Sequence, residues 1–262
     1  MAWTRTYDEA EPQRINRWLA QNGVCSRREA ESLIIDGLVS IDGETVADPG
    51  RKISQGQTLI LSDKAQIQLA SSLTVVIHKP PGVVSAHPEP GQSQASDLLT
   101  RKAWRGEGAA PTTHDKSLPP LGRLDMESRG LLILSEDGVL AKAIIGPDSE
   151  LDKEYLVEVR GTITPQKLGM LRHGLQLDRR QLRPAKVDMV ADQTLRFILT
   201  EGRNRQIRRM CDLVSLNVVD LHRIRIGPLD LGDLPEGAWR TLTPSERAQF
   251  LSSKGNLSLI HI

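Results

Sequence analysis

Cysteine, histidine and aromatic residues are all scarce in this sequence of 262 residues. It contains 2 cysteines, 6 histidines, 4 tryptophans, 2 tyrosines and 2 phenylalanines. Cys25 and Cys211 lie far apart, and neither they nor the histidines show a spacing typical of metal ligands, such as HExxH. We therefore expect free thiols in a reducing compartment, which favours the cytoplasm, and we expect no metal site.

Long apolar runs are absent as well. No stretch of about 18 apolar residues occurs, so the sequence predicts no transmembrane helix. The first residues, MAWTRTYDEAEPQR, are polar and acidic and lack the apolar segment of a secretory signal. We expect a protein that does not enter a membrane and whose apolar residues, 39% of the total, suffice for a core.

A strong net charge is also missing, because the formal net charge at pH 7 is only +1. Basic residues are nevertheless clustered. The largest cluster lies in EGRNRQIRRM (201–210), and Arg27 with Arg28 and Arg223 with Arg225 form smaller ones. Such clusters in a neutral protein are typical of an enzyme that binds RNA and then releases it. On this observation alone, solvated helix faces explain them equally well.

The pattern of apolar residues divides the chain into two folded parts. Residues 12–62 predict a small domain with two short helices and a small sheet, and the polar residues 63–72 predict a linker. A second domain covers 73–250, and 251–262 form a tail. Predicted strands do not alternate regularly with helices, which disfavours a doubly wound parallel sheet. We expect an α+β fold with a mixed, mostly antiparallel sheet and flanking helices.

The small domain contains a clear helix start. Ser26 and Glu29 have the spacing of a capping box, in which each side chain binds the backbone N–H of the other residue. The helix that follows leaves Arg27 and Arg28 in solvent. Its predicted buried residues are Ala30, Leu33 and Ile34. Asp42-Gly43 predicts a hairpin turn after this helix.

The second domain is predicted to be rich in strands. The predicted strands are 73–79, 130–135, 155–160, 186–190, 194–200 and 218–226. The predicted helices are 138–145, 165–173, 204–215 and 244–251. Residues 86–120, with several prolines and little periodicity, predict a long loop. On the helix 204–215, spacing places Arg208 at the border of the apolar face and points Arg205 and Arg209 to solvent.

Four short segments of the second domain contain residues suited to chemistry. They are HKPPGVVSA (78–86), GRLD (122–125), KEYLVEV (153–159) and EGRNRQIRRM (201–210). Each alone has an ordinary structural explanation. Asp125 could be a turn residue, Tyr155 could pack in the sheet, and the arginines could be solvated.

In this order and spacing, the four segments resemble the RsuA/RluB/RluF family of ribosomal RNA pseudouridine synthases. The family pattern is KPxG, GRLD, KxY and then a helix with GRxxQ(I/V)(R/K)R, and all four occur here. The small domain, with SRREAESLI followed by IDG, resembles the S4 RNA-binding domain that these enzymes carry. The stretch from RQIRRMC to the end of LHRIRIGPLDLGDLPEGAWRTLT is most similar to the RluF branch.

The resemblance implies that a flipped uridine of ribosomal RNA is isomerised to pseudouridine. The bond from N1 to C1′ breaks, the base turns, and it rejoins through C5. Asp125 is then the essential carboxylate, acting either as a nucleophile at the sugar or as the base that removes a ribose proton. Because the rearrangement is redox-neutral, the resemblance implies no cofactor.

The resemblance also implies roles for three neighbouring side chains. Arg208 matches the family's basic partner of the aspartate, which would keep Asp125 ionised. Tyr155 matches the tyrosine that packs on the target base, and its hydroxyl is a candidate for removing the C5 proton. Arg123 would hold the RNA backbone or fill the gap left by the flipped uridine.

The implied partner is ribosomal RNA, free or in a ribosome assembly intermediate, and we expect a monomeric protein. The S4-like domain would bind structured RNA by its backbone and shape. The expected RNA contacts are Arg27, Arg28, Arg123, Arg203, Arg205 and Arg209.

Two features depart from the family pattern, and several alternatives remain. His78 stands where many relatives have asparagine, and the loop 86–120 is longer than expected. One alternative is a catalytically inactive S4-type RNA-binding protein. Another is a nucleoside hydrolase, which would need a second carboxylate in a comparable motif. The expected target is 23S ribosomal RNA, with 16S ribosomal RNA as the alternative.

Overall fold

The computed structural model describes residues 3–173 and 175–252. The predicted tail therefore lies outside the described residues, apart from its first two positions. The chain forms two compact units. One holds the chain up to Thr74 together with Ser135–Gly146, and the other holds Val75–Leu134 and the chain from Pro147 onward.

The first unit contains the small domain that the sequence predicts. Its strands are β1 (Trp3–Thr6), β2 (Gln13–Arg14), β3 (Val39–Ile41), β4 (Glu44–Thr45), β5 (Lys52–Ile53) and β6 (Thr58–Leu61). Its helices in this part of the chain are α1 (Ile15–Gln21), α2 (Arg27–Ile35) and α3 (Asp63–Ala70). Four strands form an antiparallel sheet in the order β1-β6-β3-β4, and β2 pairs with β5.

Helix α2 begins with the predicted capping box. The Ser26 Oγ accepts a hydrogen bond from the Glu29 N–H at 3.2 Å, and the Glu29 carboxylate accepts one from the Ser26 N–H at 2.6 Å. Two backbone donors at the helix start are thereby satisfied. The predicted face is buried, and Arg27 and Arg28 are exposed.

Two parts of the first unit differ from the sequence prediction. Residues 63–70 form helix α3 rather than an irregular linker, because Ser62 caps the helix and Ala65 is buried. One buried residue gives too little periodicity for the helix to be recognised in the sequence. In addition, β1 lies before residue 12 and extends the sheet by pairing with β6.

The second unit is built on a large sheet. Its strands are β7 (Thr74–Lys79), β8 (Arg129–Ser135), β9 (Lys153–Arg160), β10 (Gln176–Leu177), β11 (Arg180–Gln181), β12 (Lys186–Ala191), β13 (Thr194–Leu199), β14 (Asn217–Ile226), β15 (Leu229–Asp230) and β16 (Trp239–Thr241). The remaining helices are α4 (Gly138–Ile145), which groups with the first unit, α5 (Pro165–Arg172), α6 (Gln206–Leu213) and α7 (Pro244–Ser252).

The main sheet has the strand order β12-β13-β9-β14-β8-β7-β16, and β15 pairs with β14. The contact of β14 with β8 is parallel, whereas the pairs β12–β13, β13–β9, β9–β14, β14–β15 and β7–β16 are antiparallel. The predicted α+β fold with a mixed, mostly antiparallel sheet is confirmed. At the parallel contact Gly130 has φ +114°, and a Cβ atom there would lie 2.2 Å from the Arg223 carbonyl oxygen. Only glycine allows this approach.

The long loop 86–120 is anchored to the sheet. It contains two short 3-10 turns at Ala95–Leu98 and Arg101–Ala103. The rings of Trp104 and Trp239 meet edge to face with centroids 4.6 Å apart, and the Trp239 indole donates a hydrogen bond to the Thr100 carbonyl at 2.8 Å. Thr100 and Trp104 of the loop are therefore held against β16.

Both cysteines are buried with free thiols, Cys25 in the core of the first unit and Cys211 in that of the second. This agrees with the prediction from their spacing. Within residues 3–173 and 175–252, none of the helices combines the length and the apolar character required to cross a membrane.

Candidate active site

Asp125 lies in the loop that leads into β8. Its side chain is 28% exposed, so a substrate can reach it. The Ser128 N–H donates to the Asp125 carbonyl at 3.0 Å and closes a turn. The backbone oxygen thus completes a turn, while the carboxylate remains accessible.

The residues on both sides of Asp125 are fixed by the segment after β7. The Ser85 hydroxyl donates to the Leu124 carbonyl at 2.7 Å and accepts from the Leu124 N–H at 2.9 Å. The Gly82 N–H donates to the Met126 carbonyl at 2.8 Å. These bonds join the KPxG segment to GRLD, so two motifs distant in sequence form one structure.

Lys79, the lysine of KPxG, lies beneath this junction. Its side chain is fully buried, and its Nζ donates to the carbonyl oxygens of Pro80 at 2.8 Å, Val83 at 2.7 Å and Met126 at 3.3 Å. Burial lowers the pKa of Lys79 to about 8, against the opposing attraction of the nearby Asp125 and Glu127 carboxylates. The sequence marked this motif, but only the structure shows that the ammonium group binds the loop of Asp125.

The arginine that faces Asp125 is Arg205, not Arg208. The Arg205 Nη1 lies 3.9 Å from the Asp125 Oδ2 and donates a hydrogen bond to the Glu127 carboxylate. Helix α6 begins only at Gln206, and Arg205 has left-handed backbone angles, φ +50° and ψ +33°. The side chain of Arg205 is 42% exposed, as expected from the wheel, but its guanidinium group also faces the loop of Asp125, which a wheel drawn over 204–215 does not show.

Arg208 instead contacts the loop of Asp125 from the protein interior. It is nearly buried, and its Nη2 donates to the Ser128 Oγ at 3.2 Å and lies 3.5 Å from the Glu127 carbonyl oxygen. Its Nη1 lies 3.5 Å from the Val218 carbonyl, and its Nε is buried without a partner in the described chain. Among the described residues, the ion pair of Asp125 is with Arg205, so direct pairing with Arg208 is not observed.

Tyr155 lies on β9 in the core of the second unit and is 8% exposed. It stands opposite Arg223 of β14 in the antiparallel register, so the two side chains share one face of the sheet. Arg223 is buried; its Nε donates to the Leu131 carbonyl at 2.7 Å, and its Nη1 lies 3.4 Å from the Arg123 carbonyl oxygen. Arg223 therefore connects β14 to the GRLD segment. The sequence showed Arg223 only as one of two neighbouring basic residues, with Arg225, and gave no sign of this contact.

Besides Arg205, two more of the arginines expected to bind RNA have protein partners. Arg209 pairs with both carboxylate oxygens of Asp178, at 2.6 and 2.9 Å. Arg203 donates to the Gln181 carbonyl at 3.1 Å and lies 3.4 Å from the Leu177 carbonyl oxygen. Both hold the hairpin β10–β11 against the start of α6. Arg123, Arg27 and Arg28 are exposed.

Comparison with known proteins identifies the family of the chain. A family model described as RNA pseudouridylate synthase matches residues 73–213, and an S4 domain model matches 13–59. The chain is 33% identical to ribosomal large subunit pseudouridine synthase B of Bacillus subtilis, with 89% of this chain and 93% of the relative covered. It is 32% identical to dual-specificity RNA pseudouridine synthase RluF of Escherichia coli K12, with 89% and 76% covered.

A solved structure shows the same fold. A crystal structure of a pseudouridylate synthase superimposes with a TM-score of 0.62 at 26% identity and covers 90% of this chain and 99% of its own. The sequence matches extend over both units of the chain. The chain therefore belongs to the RsuA/RluB/RluF family of RNA pseudouridine synthases, with an S4 domain at its N-terminal side.

Proposed function

We propose that this protein isomerises a specific uridine of 23S ribosomal RNA to pseudouridine and that Asp125 acts at the sugar of the flipped nucleotide. The observation that most directly supports this role is the accessible carboxylate of Asp125, which lies on a loop whose backbone is hydrogen-bonded on both sides of it. Such fixation keeps a reactive group in one geometry before substrate arrives. The large-subunit relative supports 23S as the target class.

The reaction exchanges one glycosidic bond for another. The bond from C1′ to N1 breaks, a bond from C1′ to C5 forms, and the C5 proton is lost while N1 gains one. Asp125 acts either as the nucleophile at C1′ or as the base that removes a ribose proton. In either role, the position of Asp125 depends on Lys79, Ser85 and Arg208, which hold its loop.

A nucleoside hydrolase fits this site less well. The second carboxylate near Asp125 is Glu127, and a hydrolase would need it protonated as the general acid. Burial works to raise the pKa of Glu127, but hydrogen bonds from its own backbone and from Arg205 hold that pKa below its ordinary value. Glu127 is therefore charged at neutral pH and unsuited to donate a proton. An inactive RNA-binding protein would not require the supported Asp125 loop.

The protein acts as a monomer in the cytoplasm on ribosomal RNA or on a ribosome assembly intermediate. Arg208 positions the loop, and Tyr155 packs against the target base. Arg123, Arg27 and Arg28 are exposed and suited to phosphate contacts, whereas Arg203 and Arg209 would have to reach RNA while holding their protein partners.

Mapping pseudouridine in ribosomal RNA from a strain that lacks this protein tests the proposal. We expect a 23S position to lose its pseudouridine and to regain it with the wild-type protein. Asp125→Asn should not restore it, because loss of an acid–base group costs about a hundredfold or more in rate. Asp188→Asn, a change at an exposed carboxylate paired with Arg172 and Arg196, is the control and should restore it.

The other possible results of this experiment would each contradict one part of the proposal. A lost position in 16S RNA instead would move the target to the small subunit. Restoration by Asp125→Asn would contradict the role of Asp125. No lost position in either RNA would contradict the proposed target class.

A further inference from the structure

Arg205 is held between two carboxylates beside the candidate catalytic group. Its Nη1 donates to the Glu127 carboxylate and lies 3.9 Å from the Asp125 Oδ2. Its backbone has φ +50°, which residues other than glycine rarely adopt. Such a conformation costs free energy and persists only when the surrounding structure holds it. The guanidinium group of Arg205 thus lies against the loop of Asp125.

Glu127 is an unexpected residue on a surface that must receive RNA. It lies two positions after Asp125, and its side chain is 47% exposed. A charged carboxylate there repels the phosphates that accompany the uridine to Asp125. In the part of the chain that the structure describes, its ion pair is with Arg205. The observed role of the Glu127 carboxylate is thus to bind Arg205.

We propose that Glu127 holds Arg205 in the free protein and releases it to a phosphate beside the target uridine when RNA binds. This inference rests on the proposed function, because it takes Asp125 as the group that meets the uridine. Guanidinium groups bind phosphate oxygens as they bind carboxylates, often through two parallel hydrogen bonds. Because Arg205 lies so close to Asp125, the phosphate it meets belongs to the target nucleotide or its neighbour.

The exchange is energetically easy. Arg205 and Glu127 are 42% and 47% exposed, and exposed ion pairs contribute little to stability. A phosphate can therefore displace the Glu127 carboxylate at little cost. A free uridine nucleoside has no phosphate and leaves Arg205 on Glu127. Arg205 and Glu127 together are then positioning residues that favour a nucleotide within RNA.

Affinity for 23S ribosomal RNA transcribed in vitro tests the exchange in four variants of the whole protein. Glu127→Gln should bind about two- to fivefold more tightly than wild type, since RNA no longer competes with a carboxylate. Arg205→Gln should bind more weakly and flatten the dependence of log affinity on log salt by about 0.7. The double variant, Glu127→Gln with Arg205→Gln, should bind RNA no more tightly than Arg205→Gln alone. Asp188→Asn removes an exposed carboxylate paired with other arginines and should bind as wild type does.

Three results would overturn the inference. The first is unchanged or weaker binding by Glu127→Gln. The second is a gain from Glu127→Gln that persists without Arg205, which would show simple repulsion. The third is an equal gain from Asp188→Asn. The amount of pseudouridine that wild type forms in the same RNA separates the two proposals, because its absence would contradict the proposed function whatever the affinities are.

Discussion

At the scale of single residues, Tyr155 presents a buried ring and a hydroxyl with different possible uses. Its ring lies in the core beside the strand partners Phe197 and Arg223. Across residues 3–173 and 175–252, its hydroxyl makes no hydrogen bond to the protein. The hydroxyl therefore contributes no hydrogen bond to the fold of the described residues, and a phenylalanine would have served if packing were its whole role.

We expect Tyr155→Phe to bind RNA and cleave the glycosidic bond normally but to release the C5 proton about a hundredfold more slowly. Single-turnover reactions with 5-tritiated RNA measure tritium release beside bond cleavage. Tyr7→Phe is the matched control, because Tyr7 is the other tyrosine and lies in the first unit. Tritium release at the wild-type rate by Tyr155→Phe would leave Tyr155 with a packing role alone.

The arginines show how far residue roles can be predicted from this sequence. Ile207, Met210, Cys211 and Val214 have the spacing of one helical face in the sequence, and all four are buried in the structure. The contacts of Arg205 with Glu127 and Asp125 are not predictable in this way, because a wheel assumes helical backbone angles and Arg205 is left-handed. The arginine beside Asp125 is therefore Arg205, which lies just outside the helix, whereas Arg208 borders the apolar face as expected and is buried.

At the scale of elements, the end of β7 and the loop before β8 form one structure through Lys79. The sequence identified both motifs, but their contact depends on hydrogen bonds to backbone carbonyls, which side-chain patterns do not encode. Helix α3 was missed for a related reason. Its cap at Ser62 was present in the sequence, yet a mostly polar segment with one buried residue resembles a linker.

Because of Lys79, the free energy of unfolding should change with pH in the alkaline range. Its pKa is about 8 in the folded protein and 10.5 ordinarily, so between these values the unfolded chain binds the extra proton. The free energy of unfolding of wild type, relative to Lys79→Met, should therefore rise from pH 8 to 10.5, by up to about 3 kcal/mol. Urea denaturation of both proteins across this range measures the difference. A difference that does not change with pH would mean that Lys79 titrates normally.

At the scale of the whole molecule, the chain combines a unit containing the S4 domain with a unit containing the candidate active site. Their hydrophobic cores are separate sets of residues. The α+β class and the longer strands β7, β8, β9, β12, β13 and β14 were predictable from apolar runs or alternation, whereas the short strands β10, β11, β15 and β16 were not. The grouping of α4 with the first unit was not, since the sequence pattern of a helix does not specify its neighbours.

If the S4 domain docks RNA, Arg27→Ala with Arg28→Ala should weaken binding but leave the rate at saturating RNA unchanged. Two lost phosphate contacts should flatten the slope of log affinity against log salt by about 1.4. Filter binding over a range of salt concentrations gives this slope. Arg101→Ala with Lys102→Ala, another adjacent and exposed pair, controls for the lost charge. An unchanged slope in the Arg27 and Arg28 variant would place the docking surface elsewhere.

The burial of both cysteines bears on how RNA docking can be observed. Burial is the main cause that raises the pKa of Cys25 and of Cys211 to about 12, so almost no reactive thiolate exists at neutral pH. A cysteine introduced at the exposed Ser71 would react with a maleimide dye far faster than either. A fluorescent label could thus be attached at one chosen position while both native cysteines stay in place.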